Sequence, residues 1–188
     1  MSLDDKRTLL NALSGCSERV FELQSALTAL RGLGPDNGGD GEQKKADYLE
    51  AWLRSFGIDD IEHVDASDER VSSGKRPNLI VRVPGRTSRM LWILGHMDVV
   101  PAGEETLWRT DPWTVTRDEA DPDLIYGRGV EDNQQAVVSG CLLAAALRET
   151  GIVPELGLGL ILVSDEETGN AYGIQHLLRE RPDFISEG

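Results

Sequence analysis

Apolar residues recur with the period of a helix over the early part of the chain. Val20, Leu23, Leu27 and Leu30 fall on one face, Ser17 ahead of them has the chemistry of a cap, and Gly32 and Gly34 end the run. A second stripe, Ala46, Leu49, Trp52, Leu53 and Phe56, stops at Gly57, and Asp40 followed by Gln43 has the spacing of a capping box. Both stripes are expected to face a core. Beyond them the period shortens. Residues 58–64, 79–83 and 90–94 read as strands, the last two joined by a turn over 84–88, whereas 71–77 reads as a polar loop. Shorter strands are expected at 113–116 and 124–126. A long helix follows Asp132 and carries Val137, Cys141, Ala144, Ala145 and Leu147 as far as Gly151. Residues 156–163 are almost continuously apolar, which marks a central strand buried on both faces. A last helix is expected over 171–179, with Pro182 blocking its continuation. Strands alternating with helices predict an α/β domain whose sheet is mixed, mostly parallel, and flanked by helices.

Composition narrows the partners more than the fold. At 188 residues with 39% hydrophobic content, the chain can bury a core and fits one ordinary domain. Its 33 acidic against 19 basic residues give a net charge of −14. The basic residues are scattered, and a nucleic-acid binder needs them clustered, so nucleic acid is not an expected partner. No apolar run approaches the ~20 residues of a membrane span. Asp4, Asp5, Lys6 and Arg7 interrupt any apolar segment at the start, so a cytoplasmic protein without a membrane association is expected. Cys16 and Cys141 have no disulfide or zinc-site spacing, and Cys141 reads as a buried thiol.

Three acidic segments stand where strands end, and in open α/β sheets ligands collect there. In Gly95-His96-Met97-Asp98, positions i and i+2 share a face of an extended chain. Asp98 can therefore fix the tautomer of His96 and leave its other nitrogen free for a metal. Gly127-Arg128-Gly129-Val130-Glu131-Asp132-Asn133 opens the long helix, and Ser164-Asp165-Glu166-Glu167-Thr168-Gly169 follows the most apolar strand. Each segment has a plainer reading: a local hydrogen bond, a helix N-cap at Asp132, and a solvated acidic loop. Together, one imidazole and several carboxylates from separate strand ends suit zinc or a comparable divalent ion. Other schemes fit less well. Gly127-x-Gly129 is not a dinucleotide fingerprint, Ser139 lacks the glycine of a nucleophile elbow, and no phosphate loop is present. His63 and His176 read as surface residues.

The order of these segments resembles a large family of zinc hydrolases. Gly95-His96-Met97-Asp98-Val99-Val100-Pro101, Trp108-x-x-Asp111-Pro112-Trp113, Tyr126-Gly127-Arg128-Gly129-x-x-Asp132 and Asp165-Glu166-Glu167-x-Gly169 carry the resemblance. Members include acetylornithine deacetylase, succinyl-diaminopimelate desuccinylase, aminoacylase, glutamate carboxypeptidase and several dipeptidases. The resemblance implies that His96 ligates one zinc, that Asp98 clamps its imidazole, and that Asp132 bridges two zincs with a cis peptide after it. Glu167 is then a ligand of the second zinc and Glu166 the general acid/base. It implies two zinc ions, with cobalt or manganese as substitutes, and hydrolysis of an amide in an N-acyl amino acid or small peptide. Family members also have a further acidic ligand shortly past position 188, a final His ligand near the end of a much longer chain, and a lid or dimerisation domain. On that reading residues 1–188 are the N-terminal part of the catalytic zinc-binding domain, the lid and C-terminal part are absent, the full-length protein can form a homodimer, and this stretch alone turns over little substrate. A non-catalytic binding or assembly domain, or one half of a split enzyme, would share the same sequence features.

Overall fold

A computed structural model describes residues 1–183. Helix α1 (Leu3–Ser14) was not apparent as a separate element, because it buries little beyond Leu9; its start is a capping box in which Ser2 and Asp5 exchange side-chain and backbone hydrogen bonds. Helix α2 (Ser17–Ala29) buries Leu23, Gln24, Leu27 and Thr28. Ser17 is its first helical residue and not its cap; Cys16 holds that position, and no side chain caps the helix. Helix α3 (Gln43–Ser55) buries Lys45, Ala46, Leu49 and Leu53. The expected Asp40–Gln43 capping box does not form. The Asp40 carboxylate instead accepts hydrogen bonds from the amide and hydroxyl of Ser72.

The strands are β1 (Ile61–His63), β2 (Ala66–Ser67), β3 (Lys75–Arg76), β4 (Leu79–Val83), β5 (Met90–His96), β6 (Thr116–Arg117), β7 (Ile125–Tyr126) and β8 (Gly157–Val163). Helix α4 (Gln134–Thr150) lies between β7 and β8, and α5 (Ile174–Glu180) follows β8. The main sheet has the order β1-β4-β8-β5, and the pairs β2–β3 and β6–β7 stand apart. Strand β8 is buried along its whole length, as its apolar run requires.

The turn at 84–88 does not close a hairpin. Strand β8 enters between β4 and β5, pairing Leu79 with Leu162 on one side and His96 with Val163 on the other. Arg86 and Thr87 donate their amides to the carbonyls of Pro154 and Glu155, just ahead of β8. A Cβ on Gly85 would stand 2.4 Å from the amide nitrogen of Gly157, so only glycine allows that approach. The α/β class and the mixed sheet are present, but among the described residues only β5–β8 is parallel, while β1–β4 and β4–β8 are antiparallel. The reason is geometric. The 84–88 turn reverses the chain between β4 and β5, whereas the crossover through α4 returns it parallel to β5; β8 must therefore oppose β4.

Helix α4 packs on this sheet and against α1, α2 and α3. Leu23, Leu27, Leu49, Leu53, Val137, Cys141, Leu160 and Leu162 belong to that larger core. Ile80, Ile161, Val163 and Leu177 form a smaller core on the opposite face, under α5. Cys16 and Cys141 are both free and buried. Among the described residues no helix is long and apolar enough to cross a membrane. The layered arrangement leaves the carboxyl ends of β5 and β8 side by side, with the start of α4 beside them.

Candidate metal centre

His96 closes β5 and is almost wholly buried, at 5% exposure. Its Nδ1 lies 3.0 Å from the carbonyl oxygen of Asp98 and 3.4 Å from Asp98 Oδ1. Its Nε2 faces outward, 3.2 Å from Asp132 Oδ1 and 3.8 Å from Glu166 Oε2. The alternation of a strand end thus places Asp98 on the inner side of the imidazole and the other acids on its outer side. Asp98 is itself anchored: its two carboxylate oxygens accept the amides of Glu166 and Glu167 at 3.0 and 2.9 Å. That contact ties the end of β5 to the turn after β8.

The three successive acids of that turn separate by direction. Asp165 sits in the left-handed region at φ 63°, which an aspartate tolerates better than most side chains. Its carboxylate points inward, where it accepts the Tyr172 amide at 3.0 Å and the Thr168 hydroxyl, and lies 3.8 Å from Arg76 Nη1. Glu166 and Glu167 follow in a short 3-10 turn and face the site. Asp132 precedes α4, joined to Asn133 by a cis peptide. Asn133 Oδ1 accepts the backbone amide of His96 at 3.0 Å.

His96, Asp132 and Glu167 each offer a ligand atom, and these atoms all lie within 4.8 Å of one another. One imidazole nitrogen and two carboxylate oxygens form a donor set that fits zinc or a similar divalent cation. The local electrostatics favour a cation at the same point. Burial pushes His96 down, yet the hydrogen bond and charge of Asp98, with Asp132, more than reverse it and hold the imidazolium up to about 9. Burial and then the charge of Asp132 push the Glu167 carboxyl above its ordinary range. Asp98 moves the other way: its burial is outweighed by His96 and by the two amides it accepts. Positive charge is wanted where the outer acids meet.

Of the five residues singled out from sequence, all meet here: His96, Asp132 and Glu167 as a possible ligand trio, Asp98 behind the imidazole, and Glu166 beside it. A recess of about 260 Å³ opens next to His96 and Glu166, walled by Leu94, Val163, Ile174 and Asn133. A larger recess of about 440 Å³, between Leu107, Trp108, Ile125 and Tyr126, does not include the trio. His63 is exposed and pairs with Glu50, away from the centre, and His176 lies on α5.

Beneath the site lie residues whose importance sequence did not reveal. Arg76 and Glu42 are both fully buried and joined by two hydrogen bonds, one of them Nε to Oε2 at 2.7 Å. Arg76 Nη1 also approaches Asp68 at 3.6 Å. Arg76 is one member of a basic pair in a polar stretch, and its hydrogen-bonded partner Glu42 is distant along the chain. For Asn133 the sequence implies only a cis peptide bond before it, and no local pattern marks its contact with His96.

Comparison with known proteins agrees with this geometry. A family model described as peptidase family M20/M25/M40 matches residues 92–188. An uncharacterized metallohydrolase of Methanocaldococcus jannaschii is 35% identical over 173 residues, covering 89% of this chain and 41% of that protein. A succinyl-diaminopimelate desuccinylase of Alkalilimnicola ehrlichii is 31% identical over 169 residues, covering 88% of this chain and 40% of its own length. The fold of the Saccharomyces cerevisiae di-peptidase Dug1p superposes with a TM-score of 0.75 at 20% identity, over 93% of this chain and 37% of that one. The chain therefore spans well under half the length of these relatives. The ordered motifs, the converging side chains and the family match together place the chain in the M20/M25/M40 peptidase family of metal-dependent hydrolases.

Proposed function

We propose that residues 1–188 are the N-terminal part of the catalytic domain of a dinuclear zinc hydrolase that cleaves an amide bond in N-acyl amino acids or small peptides. The observation that carries this reading is the convergence of His96, Asp132 and Glu167 within 4.8 Å. A desuccinylase among the relatives and a di-peptidase among the fold neighbours support the substrate class. Remaining ligands, a lid and a dimer contact would come from the rest of a longer polypeptide. Buried free thiols at Cys16 and Cys141 are consistent with a reducing, cytoplasmic setting.

His96, Asp132 and Glu167 would hold the cations. Bound there, divalent ions supply Lewis acidity, polarising a carbonyl and lowering the pKa of a water. The chain's own groups do the rest. Asp98 fixes the imidazole so that Nε2 faces the site, and the amides of Glu166 and Glu167 keep that carboxylate in place. Glu166, with a side chain about half exposed, is free to take a proton from the attacking water and return it to the departing amine.

In the complete polypeptide, Glu166→Ala should retain its metal and lose at least ~10²-fold in turnover. Glu167→Ala should instead lose bound zinc, as read by elemental analysis. Turnover near the unaltered rate in Glu166→Ala would end the acid/base assignment.

A further inference from the structure

Four polar side chains lie buried beneath the turn that carries Asp132, and none bonds to His96, Glu166 or Glu167. Gln24 and Thr28 belong to α2, Lys45 to α3 and Gln134 to α4, and each is 1% or 2% exposed. Their hydrogen bonds form one connected set. Lys45 Nζ donates to Gln134 Oε1 at 3.1 Å. Gln134 Nε2 donates to Gln24 Oε1 at 3.1 Å and to Thr28 Oγ1 at 3.0 Å. The set ends on backbone: Gln24 Nε2 donates to the Val130 carbonyl at 3.1 Å, and the Thr28 hydroxyl to the Arg128 carbonyl at 3.2 Å. The backbone amide of Gln134 donates to the carbonyl between them, that of Gly129, at 3.0 Å.

Three consecutive carbonyls are thus tied down, and two residues later Asp132 reaches out toward His96. The Gly129 position is tight as well: at φ 81°, an added Cβ would stand 2.7 Å from Val99 Cγ1 and 3.0 Å from Gln134 Oε1. Leu23, Leu27, Ala46 and Leu49 belong to the same apolar core. Apolar side chains would fill this space without the desolvation cost of four polar ones. A polar set is useful here because its directional bonds select one backbone path, which apolar packing does less sharply.

We propose that Gln24, Thr28, Lys45 and Gln134 are positioning residues that fix the 128–130 backbone and thereby hold the Asp132 carboxylate opposite His96. The inference rests on the reading of Asp132 as a metal ligand.

Thr28→Val removes the hydroxyl while keeping its shape, and Thr28→Ser keeps the hydroxyl. Two readouts separate the network from the metal reading: hydrogen exchange of the metal-free protein, and zinc affinity by competition with a chromophoric chelator. In Thr28→Val the amides of Arg128, Val130 and Gln134 should exchange about 10-fold faster, the size expected of one buried hydrogen bond, while β8 amides are unchanged. Zinc should bind at least ~5-fold more weakly, and Thr28→Ser should restore both values. Unchanged exchange at those three amides, or faster exchange throughout β8 as well, would overturn the proposal, the second result marking ordinary core packing. Should Thr28→Val fail to fold, Gln24→Met frees the Val130 carbonyl and carries the same expectations. A complete polypeptide that takes up no zinc would overturn the metal reading of Asp132, and the exchange measurement would still decide the network.

Discussion

Replacing Arg76 by Met tests whether the ionic group beneath the site supports the fold. The guanidinium is fully buried and gives two hydrogen bonds to Glu42, itself fully buried. It also lies 3.6 Å from Asp68 and 3.8 Å from Asp165, whose side chains are 2% and 4% exposed. Removing it strands the Glu42 carboxylate in the core without the guanidinium that hydrogen-bonds it. Breaking a buried pair from one side typically costs about 3–5 kcal/mol, because the remaining charge is desolvated without compensation. For a chain of this size each kcal/mol moves the melting temperature by roughly 2–4 °C, so a fall of roughly 6–20 °C is expected. Thermal unfolding followed by circular dichroism measures it, and urea titration supplies the free energy. Two controls sharpen the outcome. The double variant Glu42→Leu/Arg76→Met should recover part of the loss by removing the stranded charge. Lower pH should narrow the gap between Arg76→Met and the unaltered chain, since an unpaired buried carboxylate binds a proton more readily folded than unfolded. A loss below ~1 kcal/mol, or a double variant no better than the single, would refute the argument, because exposed pairs give effects of that size.

Lys45 predicts a pH dependence. Burial lowers its ammonium to about 7, so between that value and the ordinary 10.5 the unfolded chain holds a proton that the folded chain lacks. Stability should therefore rise with pH across this window, by up to about 1.4 kcal/mol per unit, with no slope from this group below it. His96, held up to about 9, contributes the opposite slope to both proteins. Urea unfolding at pH 7, 8 and 9 should therefore show a slope in the unaltered chain more positive than in Lys45→Met by about that amount, and equal slopes would contradict it. Gly95→Ala tests the seam between β5 and α4. An added Cβ would meet Val137 Cγ2 at 2.8 Å and Asn133 Oδ1 at 3.1 Å. A stability loss of about 1–3 kcal/mol is expected by thermal unfolding, with weaker zinc uptake because Asn133 holds the His96 amide.

The parts of this molecule readable from sequence are those whose cause is local. The apolar run at β8 and the stripe on α4 express burial directly. His96 and Asp98 share a face because they are two apart on an extended chain, whatever surrounds them. Strand order was not readable. Nothing in the sequence of β4 or β5 says that a later strand will separate them, because that pairing joins Leu79 to Leu162. Asp40 failed as a cap for the same reason: its competitor, Ser72, approaches from a different part of the chain. Nothing local to Arg76 says that Glu42 and Asp165 will close around it together with Asp68. The division of labour among Asp165, Glu166 and Glu167 depends on one left-handed residue, which residue type alone does not announce.

Strand β8 both separates β4 from β5 and delivers the acidic turn to His96. Completing the sheet and assembling the centre are therefore a single act of long-range closure, in which the entropy of a large loop is spent once for both. His96, Asp132 and Glu167 cannot meet in a chain whose sheet is still open. A cation captured by them would bind the closed form alone, shifting the folding equilibrium by its own binding free energy. Metal uptake by this chain would then report on the insertion of one strand.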